Sequence, residues 1–425
     1  MKWLIKTVSI VLLGMGCFAC SSDETSNEGP INPKGEPVFS PLTLTPAEVK
    51  LGVDIRKVGI NLFQAQSEDN ANHDKNLNTL LSPWNQYMFL AMLMNGANDS
   101  VQQVVMSQQG ISSMGEMNEY MKRVTEYLSR ADARVSMSSF NSFWYDRNLS
   151  IDSNYESLLR NFYNAEVYTA DLGSSEGTQA INAWGNKVTK GYLEDFLPDM
   201  VYYRNYFLAS AMVFEGQWEK KFTRATTEKQ FHNLDGATVT IPMMTGQLSN
   251  TYFFQNGKFS KTSIPYGNGA YSMTLILPKE GYDPLALLRD NDVALFADME
   301  ELRDQEGFFD TDVYVTMPMM DLKAEGNSNN AFTRAGYGSL LDRHIPLENM
   351  GECGTTGHYS LPEIVINRIH VIVNEEGTKV ISATHSGDPT ANYHQSFIVD
   401  RPFICYISEK STNAIVFAGV INTLK

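Results

Sequence analysis

The chain of 425 residues sets 33 Lys and Arg against 49 Asp and Glu, a formal charge of −16 that is dispersed rather than gathered in tails. That balance argues against nucleic-acid binding, which needs a basic patch to meet phosphate. A hydrophobic content of 43% with 11% aromatics excludes a wholly disordered chain and supplies a large core.

The chain opens on a targeting pattern. Lys2 and Lys6 form a basic start, and Val8 to Gly16 is an apolar run too short to span a bilayer with ordinary flanks. Cys17-Phe18-Ala19-Cys20 follows, and then polar Ser21-Ser22-Asp23-Glu24. Small Ala19 before Cys20 resembles a bacterial lipoprotein signal, although Cys17 stands where such signals usually carry Leu. The resemblance implies a signal peptide over 1–19 and acylation of Cys20, with that lipid as the only contact with a membrane. An ordinary secretory signal cut nearby is the alternative and would leave the protein secreted or periplasmic. Asp23-Glu24 resembles the acidic tag of Bacteroidetes surface lipoproteins and points to the outer membrane and cell surface. Loss of Lys2 and Lys6 leaves 31 cations against 49 anions, or −18.

Residues 20–45 are rich in Ser, Asn, Glu, Pro and Gly and read as a flexible tether. From Pro46, the apolar positions Val49, Val53, Val58, Ile60, Leu62 and Phe63 predict an amphipathic helix. Helical patterns continue over Met114 to Arg130, Tyr155 to Tyr163 and Gln179 to Thr189. From Tyr202 to Ala211, and again from Phe231, the period falls towards two and strands dominate. Helices first and antiparallel strands later, without regular βαβ alternation, predict a single α+β domain over 46–425. A monomer is expected.

Enzyme chemistry finds little support. Seven histidines are present, yet no Gly-x-Ser-x-Gly elbow exists, and Gly336-Tyr337-Gly338-Ser339 lacks the closing glycine. There is no His-Glu-x-x-His and no phosphate loop. Gly267-Asn268-Gly269 lacks the third glycine of a dinucleotide fingerprint and reads as a hairpin turn. His370 alternates within a strand pattern and reads as a packed or solvated side chain. No catalytic residue, metal site or cofactor is predicted. Cys405 lies in the apolar run Phe403 to Ile407 and is expected as a buried small hydrophobe; spacing alone does not predict a bridge to Cys353.

The strongest signal lies near the C-terminus. Ile366 to Val373 is β-branched and alternating and predicts a strand. Gly377 then allows a turn at low steric cost. Thr378 to Thr384 also suits a strand, yet no short turn is expected to pair it back, and it runs on into polar Ser386 to Asn392. If Thr378 points inward, so do Val380, Ser382 and Thr384, while Lys379, Ile381, Ala383 and His385 point outward. The inward set carries no charge, so adding this strand to a sheet would bury no ion. Pro402 of Arg401-Pro402-Phe403 lies 25 residues beyond Gly377.

This hinge, that distance, and the run Val416 to Asn422 resemble the serpins. Asn78 to Pro83 with Leu90 to Ala97 looks like the family's second helix and the strand before it. Asn182, Trp184, Thr189 and Gly191 ahead of Phe196-Leu197-Pro198 match its middle. Phe214 to Trp218 with Phe222, Thr226 or Thr227, then Val239 to Met244, then Ser272 to Glu280, complete a match over roughly residues 50–425 in the family's order.

The resemblance implies a non-catalytic inhibitor. A protease attacks the bait loop, forms a covalent acyl-enzyme, and is dragged across the molecule as the freed hinge inserts into the main sheet. Target proteases are then the partners. Glu375, Gly377, Thr378, Val380, Ser382, Ala383 and Thr384 map to the hinge, and Trp218 and Thr227 with Glu375 to the site where insertion begins. Ser82, Asn85, Ser210 and Asn367 map to the shutter lower down, where the last three replace a usual Ser, Asn and His. The family's spacing places the scissile bond at Ala391–Asn392, with Thr390 or Tyr393 as alternative recognition residues. Residues 380–400 contain no Lys or Arg, which disfavours trypsin-like pockets and points to elastase-like, subtilisin-like or cysteine proteases. Val380 and Ile381 stand where small alanines are usual, an overpacking risk of about 1–3 kcal/mol on insertion. Slow insertion would turn inhibitor into substrate, so a non-inhibitory serpin fold or a surface binding lipoprotein is the alternative.

Overall fold

A computed structural model describes residues 38–193, 196–197, 206–225, 229–341, 347–351, 366–378 and 394–425. The targeting segment with Cys20, Thr227, Cys353, and the loop from Lys379 through Val380, Ser382, Ala383, Thr384, Thr390, Ala391, Asn392 and Tyr393 lie outside the described residues.

In chain order the elements are α1 (Pro46–His73), β1 (Thr79–Leu81), α2 (Pro83–Gly96), α3 (Asp99–Gln109), α4 (Met114–Leu128), β2 (Val135–Asp146), α5 (Ser153–Tyr163), β3 (Ala165–Ala170) and α6 (Ser175–Val188). Then come β4 (Tyr206–Gln217), β5 (Thr223–Arg224), β6 (Lys229–His232), β7 (Thr238–Ile241), β8 (Met243–Gln255), β9 (Phe259–Pro265) and β10 (Tyr271–Pro278). The last part holds α7 (Pro284–Asp290), α8 (Val293–Phe296), β11 (Phe308–Pro318), β12 (Met320–Asn327), α9 (Asn329–Phe332), β13 (Ile366–Asn374), β14 (Gly377–Thr378), β15 (His394–Ile398), β16 (Phe403–Glu409) and β17 (Ile415–Ile421). Helices lead and strands follow, as the patterning predicts.

Local chemistry sets the helix starts. Thr45 and Glu48 cap α1 reciprocally, and Pro46 occupies its first turn. The inner face of α1 buries Ile55, Val58, Leu62 and Phe63, but Val49 and Val53, counted in its apolar stripe, stand exposed. Every residue of helix α2 is buried, polar Asn85, Gln86 and Asn95 included, and its mostly apolar surface forms the central rod of the core. Gly59 lets α1 cross α2 closely, because a Cβ there would lie 2.8 Å from the Pro83 Cβ.

Two sheets flank this rod. The larger runs β1-β17-β16-β10-β9-β8-β11-β15, with β5 on β8, and the smaller runs β12-β13-β14-β4-β2-β3. Strand β17 is buried along its whole length, as a strand covered on both faces must be. On the smaller sheet, α6 builds its own core with Trp184, Phe196, Phe207, Ala209 and Ala211. The alternate residues of β4, Tyr206 and Leu208, face the main core instead. Cys405 is buried in β16 and its thiol is pushed up to about 12 by burial, which makes it an inert packing group.

Candidate functional site

The head of the six-stranded sheet is where the hinge enters. Contrary to the sequence expectation, a short turn does pair the chain back: Glu375 and Glu376 turn it, and Val373 and Asn374 of β13 face Thr378 and Gly377 of β14. Asn374 makes the turn possible, its Oδ1 accepting from the backbone N–H of Glu376 at 3.0 Å and of Gly377 at 3.3 Å. That local side-chain bond replaces the glycine-rich chemistry by which tight turns are usually recognised.

On its other edge β14 pairs with β4, Gly377 opposite Gln217 and Thr378 opposite Gly216. Two residues of the hinge thus already stand as a strand between β13 and β4. Gly377 has φ +154°, and a Cβ on it would lie 2.0 Å from the Gly216 carbonyl oxygen, so only glycine fits. Thr378 is buried, and its Oγ1 shares a 2.6 Å hydrogen bond with Tyr266 Oη. Burial pushes the Tyr266 phenol well up, which keeps it a neutral hydrogen-bonding group.

Trp218 closes the top. Its indole N–H donates to the Asn374 carbonyl at 2.9 Å, and its ring stacks on Tyr266 at 4.3 Å and 14°. The Trp218 and Phe222 backbone N–H groups donate to the carbonyls of Glu376 and Glu375 at 3.0 and 2.8 Å. Glu375 therefore acts here through its main chain. Glu376, which the motif reading did not single out, forms an ion pair with Lys221.

Below Thr378 the two long strands are joined, among the described residues, by no other register than the one through β14. Between them lies a cleft that continues from Thr378 past Met212, Phe214, Ile369 and Val371 to Ser82, Asn85 and Ser210. At its lower end Ser210 Oγ donates to Asn85 Oδ1 at 2.8 Å and lies 2.5 Å from Asn141 Oδ1. Ser139 Oγ donates to the same Asn85 oxygen at 3.3 Å, while Ser82 caps α2 by accepting from the Asn85 N–H at 3.1 Å. Ser82, Asn85 and Ser210 are thus brought together; the Asn367 side chain lies outside the described residues.

Sequence reasoning missed Asn141, Ser139, Tyr266 and Asn374. Asn141 left no clear trace, since β2 carries several other polar residues, Ser139 and Ser142 among them. Tyr266 left none, because its partner is 112 residues away. His370 lies in β13 with its Nε2 2.7 Å from the exposed Asp321 carboxylate, and its ring meets Tyr192 edge-on at 5.8 Å.

This geometry was compared with known proteins. The family model described as Serpin (serine protease inhibitor) matches residues 54–423. Serpin-Z10 of Arabidopsis thaliana is 24% identical over 366 residues, covering 81% of this chain and 91% of the relative. The native crystal structure of the thermophilic serpin tengpin superposes with a TM-score of 0.78 at 20% identity, covering 92% of this chain and 97% of that one. The complex of thyroxine-binding globulin with thyroxine superposes with a TM-score of 0.76 at 18% identity, covering 88% and 99%. With a family match across most of its length and the same fold in solved relatives, the chain belongs to the serpin family.

Proposed function

We propose that this serpin traps proteases as a suicide substrate. The protease's nucleophile attacks the Ala391 carbonyl, forms an acyl-enzyme and releases the Asn392 amine. The freed segment from Lys379 onward then extends β14 down the cleft as a full strand. The gain in ladder bonds and buried surface outruns hydrolysis of the acyl bond. The observation that carries this reading is the position of Gly377 and Thr378, already laddered on both edges above a cleft that reaches the Ser82–Asn85–Ser210 cluster. The absence of Lys and Arg from 380–400 directs the bait to elastase-like, subtilisin-like or cysteine proteases.

Incubation with elastase, subtilisin, chymotrypsin and papain tests it. A covalent complex should survive boiling in detergent, with mass analysis placing the cut at Ala391–Asn392. Cleaved product alone from all four enzymes would overturn the inhibitory reading. It would favour the second one, a serpin fold used for binding. That reading draws on the thyroxine-bound fold neighbour, since a fold does not fix a function.

The lipoprotein pattern at Cys20 supports a monomer tethered to the outer membrane at the cell surface. In that place it would shield the cell from external or self-made proteases. A Cys20→Ala variant should lose palmitate labelling and leave the membrane fraction; unchanged fractionation would remove this part of the reading.

A further inference from the structure

A second cleft, which shares no described lining residue with the hinge, lies between the end of α1, the start of β12, the turn from β6 to β7 and the tail after β17. Its volume of about 840 Å³ falls within the range of about 300–1,000 Å³ usual for small-molecule sites. Bonds already in place fix its walls. Asn78 Oδ1 accepts from the backbone N–H groups of Asn422 and Thr423 at 2.7 and 3.0 Å. Asn233 holds Leu424 on the other side, accepting from its N–H at 2.8 Å and donating to its carbonyl at 3.0 Å. The cleft is therefore preformed.

Its lining divides by chemistry. Leu80, Ile241, Met320 and Leu424 give a buried apolar floor, and Met320 adds a polarisable thioether that adapts to a ligand's shape. Around the floor stand the carboxylates of Asp74, Asp235 and Asp321, against the ammonium groups of Lys323 and Lys425. Gln66 and Asn76 tip the balance further. Both line the cleft, yet Gln66 Oε1 and Asn76 Oδ1 are buried without a hydrogen-bond donor among the described residues. A buried acceptor left unpaired costs about 1–3 kcal/mol, which a donor brought to this wall would recover. Exchanging the two ends of the Gln66 amide would not help, since its Nε2 already donates to Asn70 Oδ1 at 3.0 Å. The chain's charge of −16 adds to the pull on a cation.

We infer that this cleft binds a small organic amine with a hydrophobic body and a second N–H donor. The ammonium is held at Asp74 and Asn76, which one turn places together through the Asn76 N–H bond to Asp74 Oδ1 at 2.9 Å. The body lies over Met320 and Ile241, and the second donor meets Gln66. This binding activity is separate from the bait loop and does not rest on the inhibitory reading.

Isothermal titration of the intact protein tests it, with tryptamine as the probe. Indole-3-propionate, which keeps the ring and reverses the charge, is the comparison. Tryptamine should bind saturably at one site, about tenfold more tightly than the acid. Asp74→Asn should weaken tryptamine about two- to fivefold, the loss of one solvated ion pair, and leave the acid unweakened. Leu77→Arg, at a 45% exposed position of the mouth, places a competing cation there and should abolish tryptamine binding. Both positions are exposed, so both variants should melt with the wild type. No saturable binding of tryptamine, equal binding of amine and acid, or wild-type affinity in both variants would each overturn the inference.

Discussion

Thr378 Oγ1 and Tyr266 Oη lie 2.6 Å apart beneath the sheet, joining the last residue of β14 to the loop between β9 and β10. The contact is buried, so its loss is felt on both sides. A Thr378→Val variant keeps the shape but leaves the Tyr266 hydroxyl without that partner, at a cost of about 1–3 kcal/mol in the inserted state. Thr378→Arg would place a guanidinium where the native side chain is only 3% exposed. Gel analysis of protease mixtures should then show cleaved product in place of complex for Thr378→Arg, with Thr378→Val intermediate. Wild-type yields of complex from Thr378→Arg would contradict the role given to this position.

Gly377 is held at φ +154° against the Gly216 carbonyl. Gly377→Ala adds a clash and backbone strain of about 1–3 kcal/mol, which the two-residue strand β14 cannot absorb. Hydrogen exchange over 216–217 and 377–378 should accelerate in the intact protein. Unchanged protection there would mean that the hinge does not depend on this contact.

The lower cluster centres on Asn85, which accepts from both Ser210 and Ser139. Asn85→Ala removes a shared acceptor and should lower stability by about 1–3 kcal/mol in chemical unfolding. Because Ser210 gives up the same bond, adding Ser210→Ala should cost much less than it does alone. Fully additive losses would show that the two side chains do not form one network.

Lys261 offers a test by pH. It is fully buried in β9, and its ammonium donates to the carbonyls of Ala294, Leu295 and Ala297 at 3.0, 3.2 and 2.5 Å. Burial lowers its pKa to about 7. Between that value and its ordinary one the unfolded chain binds the extra proton, so stability gains from this group as pH rises above 7. Below 7 both states are charged and that gain is absent. Melting curves taken from about pH 7 to pH 9 should show a rise that Lys261→Met abolishes; an equal slope in the variant would contradict the assignment.

Much of this was legible in the sequence, for identifiable reasons. The strand β13 and the hinge glycine are written in local β-branching and turn chemistry, whereas helix α2 was reached through the family resemblance of Leu90 to Ala97. Ser82, Asn85 and Ser210 could be matched by position, yet their bonding could not be read, since it joins α2 to β4 across 125 residues. Gly377 marks the turn in the sequence, but the pairing of β14 back onto β13 is not legible there, because it is set by one Asn side chain folding onto its own backbone. Lys261 escaped because a lone lysine in a strand looks like a solvated one until three helix-end carbonyls are found around it.

The central claim is that the intact fold stores free energy, released when its own bait segment completes the sheet. Calorimetry of the protein before and after a single elastase cut near Ala391 measures this most directly. The account predicts a much higher melting temperature for the cut molecule; an equal or lower one would contradict it.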